Sequence, residues 1–183
     1  MGMAISVPRY TVDDLEQFPN DGNRYELLDG MLIVTPAPQR AHQLVASRMM
    51  GRLLAALHGV ADVVGPGAIV RLPGTQLEPD VLVQPARFAH LLRWVDVTEH
   101  WLAVEVLSRS SRIYDREFKR DAYFALGVQQ VWLVDIEERS VEVWSSRSEH
   151  DVVRDVIRWR VPTTDVVVAI NLAEIFPPPE PRP

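Results

Sequence analysis

Cysteine is absent from the chain, and lysine occurs once, at position 119. Without cysteine there are no disulfides, thiolate metal ligands or cysteine nucleophiles, and the composition suits a reducing compartment. No basic N-terminal stretch runs into an apolar leader segment, and no uninterrupted apolar run is long enough to cross a bilayer, so the expected location is the cytoplasm. Also missing are a Gly-rich strand-to-helix nucleotide loop, a Gly-Lys-Ser/Thr phosphate cradle and a His-Glu-x-x-His zinc motif. Positive charge is in deficit as well. The net charge of −6 argues against a non-specific nucleic-acid coat and leaves room only for a local basic patch.

What is present is ordinary globular material: 47% hydrophobic and 24% charged residues over 183 positions, enough for one substantial core. The expected organisation is a single domain over residues 1–176 and a Pro-rich, flexible tail over 177–183. Thr11 is placed to cap a short helix over Val12–Phe18, with Asp14 near its positive end. Two apolar runs flank Asp29-Gly30, a hairpin signal, and within the first run Glu26 and Leu28 share one face. From Arg40 to His58 the period is helical, with Leu44, Ala46, Met50, Leu53, Leu54 and Leu57 as the expected apolar face. Val63–Leu72 reads as a strand bent at Gly65-Pro66-Gly67. Pro79–Val83 and Trp101–Leu107 read as further strands, the latter so apolar that both its faces are covered. A helix is expected from Tyr114 to Leu126, ended by Gly127, with Phe118, Ala122, Ala125 and Leu126 in its buried stripe. Strands at Val131–Asp135 and Val141–Trp144 follow, then strand-like pieces at Val152–Trp159 and Val166–Ile170 and an apolar anchor at Leu172–Phe176. This order implies a mixed sheet with helices packed on it.

The chemistry-bearing residues stand out against that background. Asp80 sits at the edge of one apolar strand and Glu105 inside another. A buried carboxylate is costly unless it is hydrogen-bonded, protonated or bound to a cation, and two converging carboxylates become favourable around Mg²⁺ or Mn²⁺. The competing reading pairs each acid with an arginine, Arg71 or Arg116. Lys119 lies on the helix just beyond the Glu105 strand, and Asp115, Lys119 and Tyr123 recur at four-residue intervals along one helical face. In a chain otherwise served by arginine, a lone lysine marks a place for a compact ammonium; the bland alternative is coding bias, with an exposed Asp-Lys pair.

These pieces, in order, are Tyr25-Glu26-Leu27-Leu28-Asp29-Gly30, Pro36-Ala37-Pro38 with His42, Pro79-Asp80-Val81, Glu105-Val106-Leu107-Ser108, Asp115-Arg116-x-x-Lys119-x-x-x-Tyr123, Gly127-Val128 and Trp132–Asp135. Together they resemble the PD-(D/E)XK nuclease superfamily, and more closely its Uma2-like family of endonucleases. The resemblance implies an α/β, restriction-endonuclease-like mixed sheet flanked by helices, with an N-terminal hairpin. It implies Asp80, Glu105 and the Val106 carbonyl as metal ligands, Glu26 as an extension of the acidic cluster, and Lys119 as the catalytic lysine. The lysine usually found two residues after the glutamate is replaced by Leu107 and has moved onto the following helix. Met31 stands where the family often has an acid, and Arg109 where it often has proline.

The function this implies is Mg²⁺-dependent hydrolysis of nucleic-acid phosphodiesters, with DNA as the expected partner and Mn²⁺ as a substitute ion. Arg109, Arg112, Arg116 and Arg120 are candidate phosphate contacts, and His42 is expected to cap or support rather than ligate. A homodimer is expected through strand edges and the C-terminal anchor. Two alternatives stay open: a non-catalytic nucleic-acid-binding module of the same fold, and a structural or protein-interaction domain with internally paired acids.

Overall fold

A computed structural model of the chain describes residues 9–108 and 115–178. The expectations placed on Arg109, Arg112, the Asp115 side chain and the tail beyond residue 178 lie outside the described residues.

Asp29 and Gly30 both take positive φ, 50° and 80°, the twist that a two-residue hairpin requires. They join β1 (Arg24–Leu28) to β2 (Met31–Thr35) in the expected hairpin. Before it, Thr11 caps a 3-10 helix over Val12–Gln17: its N–H and hydroxyl both donate to Asp14 Oδ2, at 2.7 and 2.8 Å. After it, α1 (Arg40–Ala56) packs through Val45, Ala46, Met49 and Leu53. That face is rotated from the expected one, because Leu54 is 45% exposed while Val45 and Met49 are fully covered.

The bend at Gly65-Pro66-Gly67 does more than kink one strand. It separates β3 (Ala61–Val64) from β4 (Ile69–Arg71), which belong to different sheets. β4 joins β5 (Thr75–Leu77), β1 and β2 in a four-stranded antiparallel sheet ordered β2-β1-β5-β4. β3 joins β6 (Val81–Pro85), β7 (His100–Leu107), β8 (Val128–Asp135), β9 (Ser140–Trp144) and β10 (His150–Val153) in a six-stranded sheet ordered β10-β9-β8-β7-β6-β3. Only β7 and β8 run parallel among its neighbours, and the crossover between them carries a π-helical turn over Asp115–Lys119 and α2 (Arg120–Ala125). A last hairpin pairs β11 (Val156–Arg160) with β12 (Val167–Asn171).

The continuous apolar runs of β6, β7 and β8 follow from this layering. Val81, Val83, Val104, Val106, Trp132 and Val134 point into a core shared with α1 and the last hairpin. Leu82, Ala103, Leu107, Val131 and Leu133 point into a second core shared with α2 and the four-stranded sheet. Strand side chains alternate faces, so a strand covered on both sides must be apolar at every position. Glu105 shares the face of Ala103 and Leu107 and so points into the second core. The C-terminal anchor is consumed internally: Leu172, Ile175 and Phe176 are buried in the first core, which leaves strand edges alone as a basis for the expected homodimer.

His100 opens β7 at 4% exposure, and neither ring nitrogen has a hydrogen-bond partner among the described residues. Burial pushes its pKa from 6.5 down to about 4, against a smaller opposing pull from Glu99. A histidine kept neutral in the fold gains protons on unfolding, so its contribution is complete above pH 6.5 and is lost as pH falls towards 4. The expected loss is about 2–3 kcal/mol between pH 7 and 4.5. Urea denaturation of wild type and His100→Leu at both pH values checks this: the variant should lose markedly less stability on acidification.

Candidate active site

Glu26, Asp80, Glu105 and Lys119 are brought together, and all four are buried, at 0%, 7%, 3% and 3% exposure. Each comes from a different element. Glu26 is on β1 of the smaller sheet, Asp80 lies just before β6, Glu105 is near the end of β7, and Lys119 ends the π-helical turn before α2.

Lys119 is the centre of the cluster. Its Nζ lies 3.0 Å from Glu26 Oε1, 3.2 Å from Glu26 Oε2 and 2.6 Å from Glu105 Oε1. Tyr123, one helical turn further on and fully buried, donates its hydroxyl to the same Glu105 oxygen. The helix reaches the sheet through Lys119, Ala122 and Tyr123, whereas Phe118 and Ala125 of the expected stripe are exposed. The lysine is thus part of the buried face itself. The Glu78 N–H donates to Glu26 Oε1 at 2.7 Å and fixes that carboxylate from the backbone.

Asp80 is held differently. The β6–β7 ladder ends with Val81 opposite Val104, and Asp80 Oδ2 accepts the next available N–H of β7, that of Val106, at 2.9 Å. N–H and C=O of one residue leave an extended strand on the same edge, so the Val106 carbonyl faces Asp80 too. His42 Nε2 lies 3.1 Å from Asp80 Oδ2, and Arg24 reaches Asp80 Oδ1 at 3.1 Å while donating to the Glu78 carbonyl at 3.0 Å. A Cβ at Gly65 would meet the Asp80 carbonyl oxygen at 2.6 Å, so the bend that divides the sheets also lets the chain pass tightly beside Asp80.

Burial alone would raise the pKa of Asp80, but the His42 hydrogen bond and charge, the Arg24 guanidinium and the Val106 N–H outweigh it and hold the carboxyl below its usual range. Burial likewise works against the Arg24 guanidinium, and the carboxylates of Asp80, Glu105 and Glu26 more than reverse it. Glu78 is pushed up by burial, helped by the neighbouring charge of Glu26.

Arginine pairing does reach Asp80, but through Arg24, which the sequence reading did not single out. Arg71 instead donates to the Ala125 carbonyl. Arg116 sits between Asp135 and Glu142, at 3.3 and 2.6 Å, and Arg120 lies over the Trp144 ring at 4.0 Å. These two candidate phosphate contacts dock the crossover onto β8 and β9. His42 supports Asp80 rather than capping α1, whose N-terminus has Gln39 as its cap residue.

A mixed sheet flanked by helices, with an N-terminal hairpin, is a restriction-endonuclease-like architecture, and here it carries Asp80 just before β6, Glu105 near the end of β7 and Lys119 on the following crossover. The model of the Uma2 family, described as "Putative restriction endonuclease", matches residues 12–171, and the chain belongs to that family. Among solved structures it is similar to a chain from Anabaena variabilis described as a "putative nuclease belonging to DUF820". The TM-score is 0.71 at 18% identity, over 91% of this chain and 97% of that one, and this likeness shows the fold. No curated protein matches.

The Asp80–Arg24 pair has a measurable consequence. Arg24→Met leaves a buried carboxylate without its guanidinium and should cost about 1–3 kcal/mol at pH 7. Because Asp80 is held below its unfolded value of 3.8, the stability it contributes is present above that pH and fades as the folded carboxyl protonates. Denaturant titrations should therefore show a large wild-type to variant difference at pH 7 that persists down to the unfolded value of 3.8 and shrinks only as the pH falls below it.

Proposed function

We propose that this protein is a Mg²⁺-dependent endonuclease that hydrolyses nucleic-acid phosphodiesters, with DNA as substrate and Mn²⁺ able to replace Mg²⁺. The observation that carries the reading is Lys119, an almost wholly buried ammonium 2.6 Å from Glu105 and 3.0 Å from Glu26, beside a second carboxylate, Asp80, that meets the same strand at Val106. A lysine in such a setting does little for stability compared with an apolar residue, which favours a chemical role.

The donors fit the ion. Among the described residues no group of three His, Cys, Asp or Glu side chains forms a metal-binding cluster. Mg²⁺ does not need one, since it commonly takes one or two carboxylates and completes its shell with water and substrate phosphate. Asp80, Glu105 and the Val106 carbonyl would hold it, an all-oxygen set suited to a hard cation. Bound there, the ion would polarise a phosphoryl oxygen and acidify a water.

The chain's own groups do the rest. Tyr123 and Lys119 fix the Glu105 carboxylate in one orientation, and Glu26 and the Glu78 N–H keep the ammonium in place. Lys119 then presents a positive charge where a phosphoryl group acquires negative charge, and its N–H groups can orient the attacking water. Arg24, 21% exposed at its side chain, is the cation nearest to solvent for contact with a phosphate.

One specific observation favours a second reading, a domain without turnover: each of the three carboxylates already has a partner cation or donor within the chain. The two are separated by assay. Purified wild type with supercoiled and linear DNA in Mg²⁺ or Mn²⁺ should nick or cut, and chelation should stop it. Asp80→Asn, Glu105→Gln and Lys119→Met, each verified as folded by circular dichroism, should lower the rate by about 10²–10³-fold. Full activity in any folded variant removes that residue's assigned role, and no turnover of any DNA or RNA by wild type gives the second reading precedence.

A further inference from the structure

A cleft of about 690 Å³ ends on Asp80 and Arg24. One wall is a stripe of α1 (Gln43, Ala46, Ser47 and Met50) at the spacing of a single helical face. The other is the segment from the 3-10 helix to β1, including Phe18 and Asn20. We infer that this cleft is a subsite for one unpaired nucleotide, its base lying between the two walls and its phosphate turned towards Arg24 and Asp80. The inference rests on the nuclease reading of the same site and names its substrate class: single-stranded or locally extruded nucleic acid rather than intact duplex.

Charge decides which part of a nucleotide enters. Among the described residues, Asp13, Glu16, Glu78 and Asp80 line the cleft against one cation, Arg24. A sugar–phosphate backbone needs cations along its path, and a duplex brings phosphates of both strands at about one charge per 1.7 Å of axis. Asp13 and Glu16, both exposed at the rim, would repel it. A base is uncharged, and exposed carboxylates accept hydrogen bonds from its exocyclic amines. Among the described residues lining the cleft the one guanidinium is Arg24, paired with the carboxylate assigned to the reaction, so the place there that favours a phosphate is the place where bond cleavage is proposed.

Size and lining agree. The volume falls within the roughly 300–1,000 Å³ of small-molecule sites. Phe18, Pro38 and Met50 offer apolar surface for a base face, and Asn20 and Gln43 carry side-chain amides with both donors and acceptors. Protein readers of single-stranded nucleic acid use this combination of flat apolar contact and amide hydrogen bonding. Base pairing would hide the edges those amides address.

The test measures binding of the full-length protein in chelator, where no cleavage intervenes. Fluorescence anisotropy compares a labelled single-stranded DNA of about twelve nucleotides with the same sequence as duplex. The single strand should bind about tenfold more tightly. Ser47 is exposed on α1 within the cleft, so Ser47→Trp fills the space without entering a core. It should weaken single-strand binding about tenfold and leave the thermal midpoint in place. Ala56→Trp, at an exposed position on the same helix but outside the cleft, should leave binding unchanged. Equal or tighter duplex binding, or single-strand binding indifferent to Ser47→Trp, overturns the subsite. If Asp80-dependent cleavage persists in that case, the nuclease reading survives alone; if wild type neither binds nor cuts any nucleic acid, both fall.

Discussion

One buried ammonium organises this molecule. Lys119 links the smaller sheet through Glu26 and the central strand of the larger sheet through Glu105, while standing on the crossover that joins the two parallel strands. Each of these groups is expensive to bury alone. Together they satisfy one another only if β1, β7 and the crossover hold their relative positions within a few tenths of an ångström. Replacing such a network with well-packed apolar side chains commonly costs nothing or stabilises, so its presence reports a demand on position. The apolar contacts of the second core, from Ile69 and Leu77 to Leu133 and Tyr123, bring the two sheets together, and the ion network then sets where acids and lysine stand.

Much of the larger sheet was legible because its physics is local. A strand buried on both faces has to be apolar throughout, so Trp101–Leu107 and Val131–Asp135 announce themselves, and Asp29-Gly30 specifies its own turn. Sheet membership is not local. Nothing in the composition of Val63–Leu72 says that its two halves belong to different sheets, since the cue, a glycine pair around a proline, reads equally as a bulge. β5, three residues long, is too short to show a period. The covered face of the crossover lies about a quarter-turn from the expected stripe: it is centred on Lys119 and Tyr123, four residues apart on one helical face. Phe118, 53% exposed, falls beside that face, while Lys119 joins Ala122 and Tyr123 on the buried side.

The site was legible to a similar depth. Glu26, Asp80, Glu105 and Lys119 are charges placed where the surrounding sequence is apolar, a local conflict that points to a three-dimensional resolution. The partners supplying that resolution were harder to find. Arg24 is one of many arginines, at the mouth of a hairpin, and its pairing with Asp80 spans 56 positions. The Glu78 and Val106 N–H groups carry no side-chain signature at all. Conversely, Arg116 and Arg120 sit on the correct element but on its other face, where Asp135, Glu142 and Trp144 had already claimed them. Helical spacing tells which residues share a face; which neighbour that face meets is settled by the strand order.

The two cations of the cluster differ in a way that bears on the proposed chemistry. Lys119 is 4% exposed at its side chain and Arg24 21%, and Arg24 lines an open cleft that Lys119 does not line. A divalent ion held as proposed would compete with the guanidinium at Asp80 and with the ammonium at Glu105. A guanidinium displaced from Asp80 in that way would still line the cleft, suited by its planar fork to a phosphate. Lysine could not serve there as well, and a guanidinium could not fit between Glu26 and Glu105 as compactly. This division of labour gives a physical reason for a chain that uses arginine everywhere else to keep one lysine, at the position where a small charge must be held still.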